Sequence, residues 1–151
     1  LAFSPDGDLI ALCNGYSSGS DVADSLCVVD TTTGIVSAPL RLQNADGSTL
    51  RGVEGLAFAA GGTLFGATST VYPGGARLFL LDPDSGGATL VGAIRDGSAN
   101  ALPAGVTALT FTGATLHATT DAGRLIALDP ATAIYQDIGP IGRPGAVQGL
   151  A

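Results

Sequence analysis

Apolar residues in this chain come in bursts of four to eight positions, each closed off by Gly, Pro, Asp or Ser. "GDLIALC" (7–13), "SLCVVD" (25–30), "GTLFGAT" (62–68), "RLFLLD" (77–82), "ATLHATT" (114–120) and "RLIALD" (124–129) show the pattern. Runs this short, punctuated at both ends, predict β-strands, because a helix needs its 3.6-residue period sustained over a longer stretch. "LFLL" and "LIAL" are apolar at consecutive positions, so both faces of those strands are expected to be covered. The expected fold class is all-β.

The bursts recur in a fixed order. A first block reads "LAF" at 1–3, "GVEGLAF" at 52–58, "GVTALTF" at 105–111 and "AVQGLA" at 146–151. The second and third blocks are the six segments quoted above. A looser fourth follows: "IVSAPLRL" (35–42), "ATLVGAI" (88–94) and "AIYQDIGPI" (133–141). Four strands in a repeat of roughly 40–50 residues is the blade pattern of a β-propeller. Residues 1–151 are therefore expected to form one propeller segment of about three four-stranded antiparallel blades. These run over about 1–42, 53–94 and 106–141, with a further blade starting at 146–151. Closing a ring takes roughly four to eight blades. The chain is expected to be an excerpt of a longer propeller, with a second copy completing the ring as the rival.

"GLAF" (55–58), "GTLFGAT" (62–68) and "LFLLDPDSGGATLVGAI" (78–94) also resemble the propeller repeats of the YVTN, WD40-like and quinoprotein-like group, nearest to those of secreted bacterial proteins. "LAFSPDG" (1–7) is a phrase shared by many propeller groups. The resemblance implies an exported protein, extracellular, periplasmic or at the cell surface. It implies no quinone site, because without any Trp the tryptophan-docking motif is missing.

Composition narrows the partners. The chain has no Lys, six Arg and thirteen acids, of which only Glu54 is Glu, giving a net charge of −7. A nucleic acid or an anionic membrane surface needs a basic patch that this balance does not supply. No apolar run approaches the roughly 20 residues that span a bilayer. A hydrophobic fraction of 46% with 13% charged residues predicts a folded chain.

In a four-stranded meander the connections alternate between two ends. The first-to-second and third-to-fourth links are tight ("SPDG", "AAGG", "TG"; "TTTG", "PDSGG", "PAT"), as hairpin turns are. The other end carries the long ones: "NGYSSGSDVAD" (14–24), "QNADGSTLRG" (43–52), "STVYPGGA" (69–76) and "RDGSANALPAG" (95–105). Binding residues favour loops on a rigid scaffold, so the long-loop end is the expected functional face.

There Glu54, Thr107 and Gln148 occupy equivalent positions near the start of successive first strands. They are the expected ligand-binding residues, ringing one mouth of a central channel. Asp46, Asp96 and Asn100 are oxygen donors in the inter-unit loops, where Asx turns are the default and Ca2+ the alternative. "DPDSGG" (82–87) has the look of a calcium loop, but its twelfth position is Ala93 and not the closing Glu. Asp30, Asp82 and Asp129 all close a third strand, which predicts a turn-capping role. His117 aligns with Ile10 and Phe65, an apolar strand position, and is expected in the core or between blades. A tight hairpin puts His117 opposite Ile126 and hence Ile10 opposite Cys27. Cys13 then points to the other face and both cysteines are expected as small buried hydrophobes, unless a bulge or the 14–24 loop brings them together.

These observations predict a non-catalytic scaffold or binding module that presents its loop face to a protein or glycan. A calcium-dependent propeller hydrolase, lactonase or lyase is the enzyme rival, and a self-assembling blade unit is the structural one. No resident cofactor is expected, with Ca2+ the one ion the loops have donors for.

Overall fold

The computed structural model describes residues 1–14, 23–70 and 75–142, of Asn14 the backbone only, and within them the chain is strand, turn and loop without a helix. The strands are β1 (Ala2–Phe3), β2 (Leu9–Asn14), β3 (Asp24–Val29), β4 (Leu40–Arg41), β5 (Gln43–Asn44), β6 (Val53–Phe58) and β7 (Leu64–Thr68). They continue as β8 (Arg77–Leu81), β9 (Gly87–Ala93), β10 (Val106–Thr112), β11 (Thr115–Thr120), β12 (Arg124–Leu128) and β13 (Tyr135–Pro140). They form three sheets, ordered β1-β2-β3-β4, β5-β9-β8-β7-β6 and β10-β11-β12-β13. Each is an antiparallel meander of neighbours in sequence. The exception is β5, which leaves the first sheet and joins the outer edge of the second, parallel to β9.

The apolar bursts explain the stacking. Side chains of the first sheet (Ile10, Leu26) meet one face of the second (Leu56, Leu64, Phe79, Leu81) in one buried cluster. The opposite face of the second sheet (Phe65, Ala67, Leu78) meets the third (Leu109, Leu116, Ile126, Leu128) in another. The second sheet is thus covered on both faces, as its consecutive apolar residues require.

After each third strand an aspartate organises the turn. Asp30, Asp82 and Asp129 take N–H bonds at Oδ1 from the residue two further on, Thr32, Asp84 and Ala131, at 2.8–2.9 Å. Each also accepts at its carbonyl the N–H four residues on, from Gly34, Gly86 and Ala133. Those three donor residues all have positive φ, at 72°, 74° and 59°. The Asp82 stretch is therefore a hairpin turn, as its repetition predicted.

The fourth strand of the first unit is shorter than "IVSAPLRL" suggested: β4 is two residues, preceded by a single bridge from Val36 to Val29. Pro39 cannot donate to a ladder, and Ser37 Oγ instead takes the Val28 N–H at 2.9 Å.

The loops joining one unit to the next are hairpins anchored by aliphatic residues. Leu42 and Leu50 pair across the first (Leu50 N–H to Leu42 O, 3.1 Å) and Ile94 and Leu102 across the second (2.9 Å). Leu42, Leu50 and Ile94 are essentially fully buried, each worth about 1.5–3 kcal/mol of hydrophobic burial. The residue after each anchor reaches the next sheet: Gln43 N–H donates to Gly86 O at 3.0 Å and Arg95 N–H to Ala133 O at 3.2 Å. The second and third units are thus each clasped by the segment leaving the unit before.

Candidate functional site

Strands β1, β6 and β10, the first of each meander, pack side by side, β6 against both of the others. Glycine makes the approach possible. A Cβ at Gly55 of β6 would lie 2.9 Å from Leu109 Cγ and 3.2 Å from the backbone of Ala108, both on β10. Along the line of these strands runs an open groove of about 910 Å3. Its floor is apolar, with Ala2, Phe3, Leu56, Phe58, Leu109 and Phe111 among the lining side chains.

Glu54 and Thr107 line the same groove. Both are there for one structural reason. In β6 the pairing with β7 skips from Val53↔Thr68 to Gly55↔Ala67, leaving Glu54 as an extra residue. In β10 it skips from Val106↔Thr120 to Ala108↔Thr119, leaving Thr107 extra in the same way. A bulge breaks the two-residue alternation and re-aims one side chain. Glu54 is exposed and is the one side-chain charge on the groove wall among the described residues. Thr107 is half-buried, its hydroxyl 3.0 Å from that of Thr119. The third expected residue, Gln148, lies outside the described residues.

Behind this mouth sits a carboxylate that sequence reasoning passed over. Asp24 opens β3 and is buried. Its Oδ2 accepts the Val53 N–H at 2.7 Å, tying the first sheet to the residue before the Glu54 bulge. Burial pushes the Asp24 carboxyl above its ordinary range; the Val53 and Gly52 N–H groups pull it back, the charge of Glu54 adds to the rise and Arg51 opposes it. Its counterparts by hydrogen-bond position are Ala76 and Gly123, which bring no side-chain acceptor.

The cysteines form a disulfide, Cys13–Cys27, across Cα atoms 6.0 Å apart, and this corrects the expectation that they face opposite sides. The register differs by one residue from the one expected: Cys27 stands opposite Ala11, and Ile10 opposite Val28. Cys13 is two residues from Ala11 and so shares its face. The equivalent pairing in the third sheet sets His117 opposite Ala127, with Ile126 opposite Ala118. His117 is half-buried on β11, and its Nδ1 is enclosed with no hydrogen-bond partner among the described residues. The positions matching Cys13 are Thr68 and Thr120, whose hydroxyls take the N–H of Arg77 (2.9 Å) and Arg124 (3.2 Å) at the start of the third strand. A covalent bond thus stands in the first unit near where a hydroxyl tether stands in the others.

Asp46 and the Asp96–Asn100 pair lie in different inter-unit loops. Asp46 Oδ1 accepts the N–H of Ser48 at 2.9 Å and its hydroxyl at 2.6 Å. Asp96 Oδ1 accepts the N–H groups of Ser98 and Asn100 at 2.9 Å, and Oδ2 the Asn100 amide. Both carboxyls are held below their usual range, Asp46 first by the Ser48 hydroxyl and Asp96 first by the Asn100 amide. These oxygens are engaged in Asx turns within their own loops. Among the described residues no three His, Cys, Asp or Glu side chains converge as a metal site.

No protein-family model and no curated protein matches this chain.

Proposed function

We propose that the three sheets are successive blades of an incomplete β-propeller and that the chain is a non-catalytic binding module. Its ligand surface is the groove along the three first strands. The repetition of one meander, one aspartate turn and one clasp supports the blade reading. The observation that carries the binding reading is the matched pair of bulges, which aims Glu54 and Thr107 into one groove with an apolar floor. Bulges cluster where a strand must redirect a side chain for use, and a concave apolar wall with few polar groups is what ligand sites have in common.

The ligand is an extended protein segment or a glycan, either of which offers apolar surface to the floor and hydrogen-bond donors to Glu54. An exported location is supported by the Cys13–Cys27 bridge, since disulfides persist in oxidising compartments. The test is an array of glycans and extended peptides probed with the wild type and with an E54Q/T107V variant. Hits that depend on both residues support the site. Hits retained in full by the variant place binding elsewhere and overturn it.

A further inference from the structure

The second sheet shows what each sheet surface is built to meet, because both of its faces are covered. On the outward faces of the first and third sheets Cys27, Ala11 and Thr119 are buried too, but several other matching positions are open. On the first sheet, Phe3 corresponds to Phe58, Leu9 to Leu64, Val29 to Leu81 and Val36 to Ala88. Leu64, Leu81 and Ala88 are 1%, 4% and 4% exposed, whereas Phe3 is 62% and Val36 50% exposed. On the third sheet, Ile138 corresponds to Val91. Val91 packs into the core between sheets two and three, whereas Ile138 is 54% exposed.

The backbone carries the same asymmetry. In the third sheet one residue of the incoming segment is gripped by two bonds: Arg95 N–H to Ala133 O, and Tyr135 N–H to Arg95 O at 2.8 Å. In the second sheet Gln43 pairs with Gly87 in the same parallel manner. The corresponding groups of the first sheet are Gly34 O and Val36 N–H. Ser37 N–H to Val28 O and Asp30 N–H to Ile35 O close the Val29–Val36 bridge. In that pattern the Val36 N–H points away from β3. Neither Gly34 O nor Val36 N–H has a backbone partner among the described residues.

The matching donor is also present, without a backbone partner among the described residues. Ile141 N–H bonds Gly123 O at 2.9 Å, as Leu42 bonds Asp24 O and Ile94 bonds Ala76 O. Ile141 is therefore the third aliphatic anchor, and Gly142, exposed, holds the clasping position of Gln43 and Arg95.

We propose that the occupant of the first sheet's free face and edge is a second copy of this chain. It docks head to tail: the third sheet of one molecule packs on the first sheet of the next, and the Gly142 N–H and C=O pair with Gly34 O and Val36 N–H. The contact continues an interface the molecule already makes twice within itself. Being heterologous, it leaves one donor and one acceptor at the ends of any open assembly and closes only as a ring. Backbone addition at a free sheet edge supplies affinity, and the apolar faces supply the buried area.

The test is the mass of the chain in solution by light scattering across a concentration series. Association that grows with concentration is expected for the wild type. V36P removes the receiving N–H and I141E spoils the anchor, so each variant alone should be monomeric. Mixed in equal amounts they retain one intact interface between them, and a capped dimer should form. V36E, a charge at an exposed side chain, replaces V36P if the proline variant does not fold. A wild type that stays monomeric at every concentration overturns the proposal and leaves the edge to a different extended segment. Single variants that associate like the wild type overturn it, as does a mixture that stays monomeric.

Discussion

The two ends of the sheets are built on opposite plans. At the turn end one device is repeated three times: an aspartate closes the third strand and binds the N–H two residues on, and a positive-φ residue follows four positions later. At the loop end corresponding positions diverge. Cys13 stands where Thr68 and Thr120 stand, Asp24 where Ala76 and Gly123 stand, and Glu54 where Thr107 stands. Repetition with conserved hydrogen bonding marks positions where the backbone sets the requirement. Divergence at fixed backbone geometry marks positions where the units have taken on separate tasks. The acidic residues that first draw the eye belong to the repeating end, and the groove residues to the diverging one.

The comparison breaks most visibly at the turns themselves. A Cβ at Gly86 would overlap the carbonyl oxygen of Arg41 in the clasping segment, while a Cβ at Gly34 meets nothing within 4 Å. G86A should cost about 3–5 kcal/mol, combining left-handed backbone strain with overpacking. G34A should cost only about 1–2 kcal/mol. Urea unfolding midpoints of the two variants measure the gap, and equal losses would mean that the clasp does not bear on the turn.

At the diverging end, replacing both cysteines by alanine should destabilise by about 3 kcal/mol, the loop-closure scale for a bridge spanning 14 residues. T68V, which removes the hydroxyl tether at the matching position, should cost about 1 kcal/mol. Dithiothreitol should lower the stability of the wild type and leave that of the double-alanine variant unchanged.

A smaller effect is expected where the third unit departs from glycine. Ala133 adopts φ 59° while fully buried. Glycine there would relieve roughly 1 kcal/mol of backbone strain and forfeit about 0.8 kcal/mol of methyl burial. A133G should leave the unfolding midpoint nearly unchanged, in contrast to G86A read in the opposite direction at the same turn position.

Titration separates the plans most finely. Turn hydrogen bonds hold the carboxyls of Asp30, Asp82 and Asp129 below the ordinary value of 3.8. The unfolded chain then binds more protons just below that value, so their contribution is present above it and is lost as pH falls. Asp24 is raised above 3.8, first by burial, so its sign reverses: the folded state keeps the proton longer, and stability falls as pH rises through the raised value. The difference between wild-type and D24N melting curves against pH should isolate that second slope. D30N, D82N and D129N should instead flatten the acid limb.

How much of this was legible depended on whether a feature repeats. The three meanders, the aspartate turns and the division into tight and long connections could be read because each recurs in "SLCVVD", "RLFLLD" and "RLIALD". The disulfide could not, because a one-residue change of register moves a side chain to the other face, and the register expected from the short hairpin of the third unit is itself one residue off, His117 standing opposite Ala127. Glu54 and Thr107 were legible as equivalent polar positions, but not as bulges, since a bulge appears in sequence only as a broken alternation. The clasp was hidden in what read as variable loops. Its signal was present in the aliphatic residues that begin and end "LQNADGSTL" and "IRDGSANAL", spacing that a polar loop has no need of. Asp24 carried no signal, since its partner is a backbone N–H of the next unit.

The clasp also bears on how such a chain can grow. Because Gln43 and Arg95 follow the last strand of one sheet but pair with the next, the stretch from 53 to 105 carries both a receiving turn and a reaching arm. A tandem copy of that stretch, spliced in after itself, would arrive with every backbone partner it needs and would displace none. Lengthening by duplication is thereby made easy, whereas excision at a sheet boundary would strand an arm on one side of the cut and an empty turn on the other.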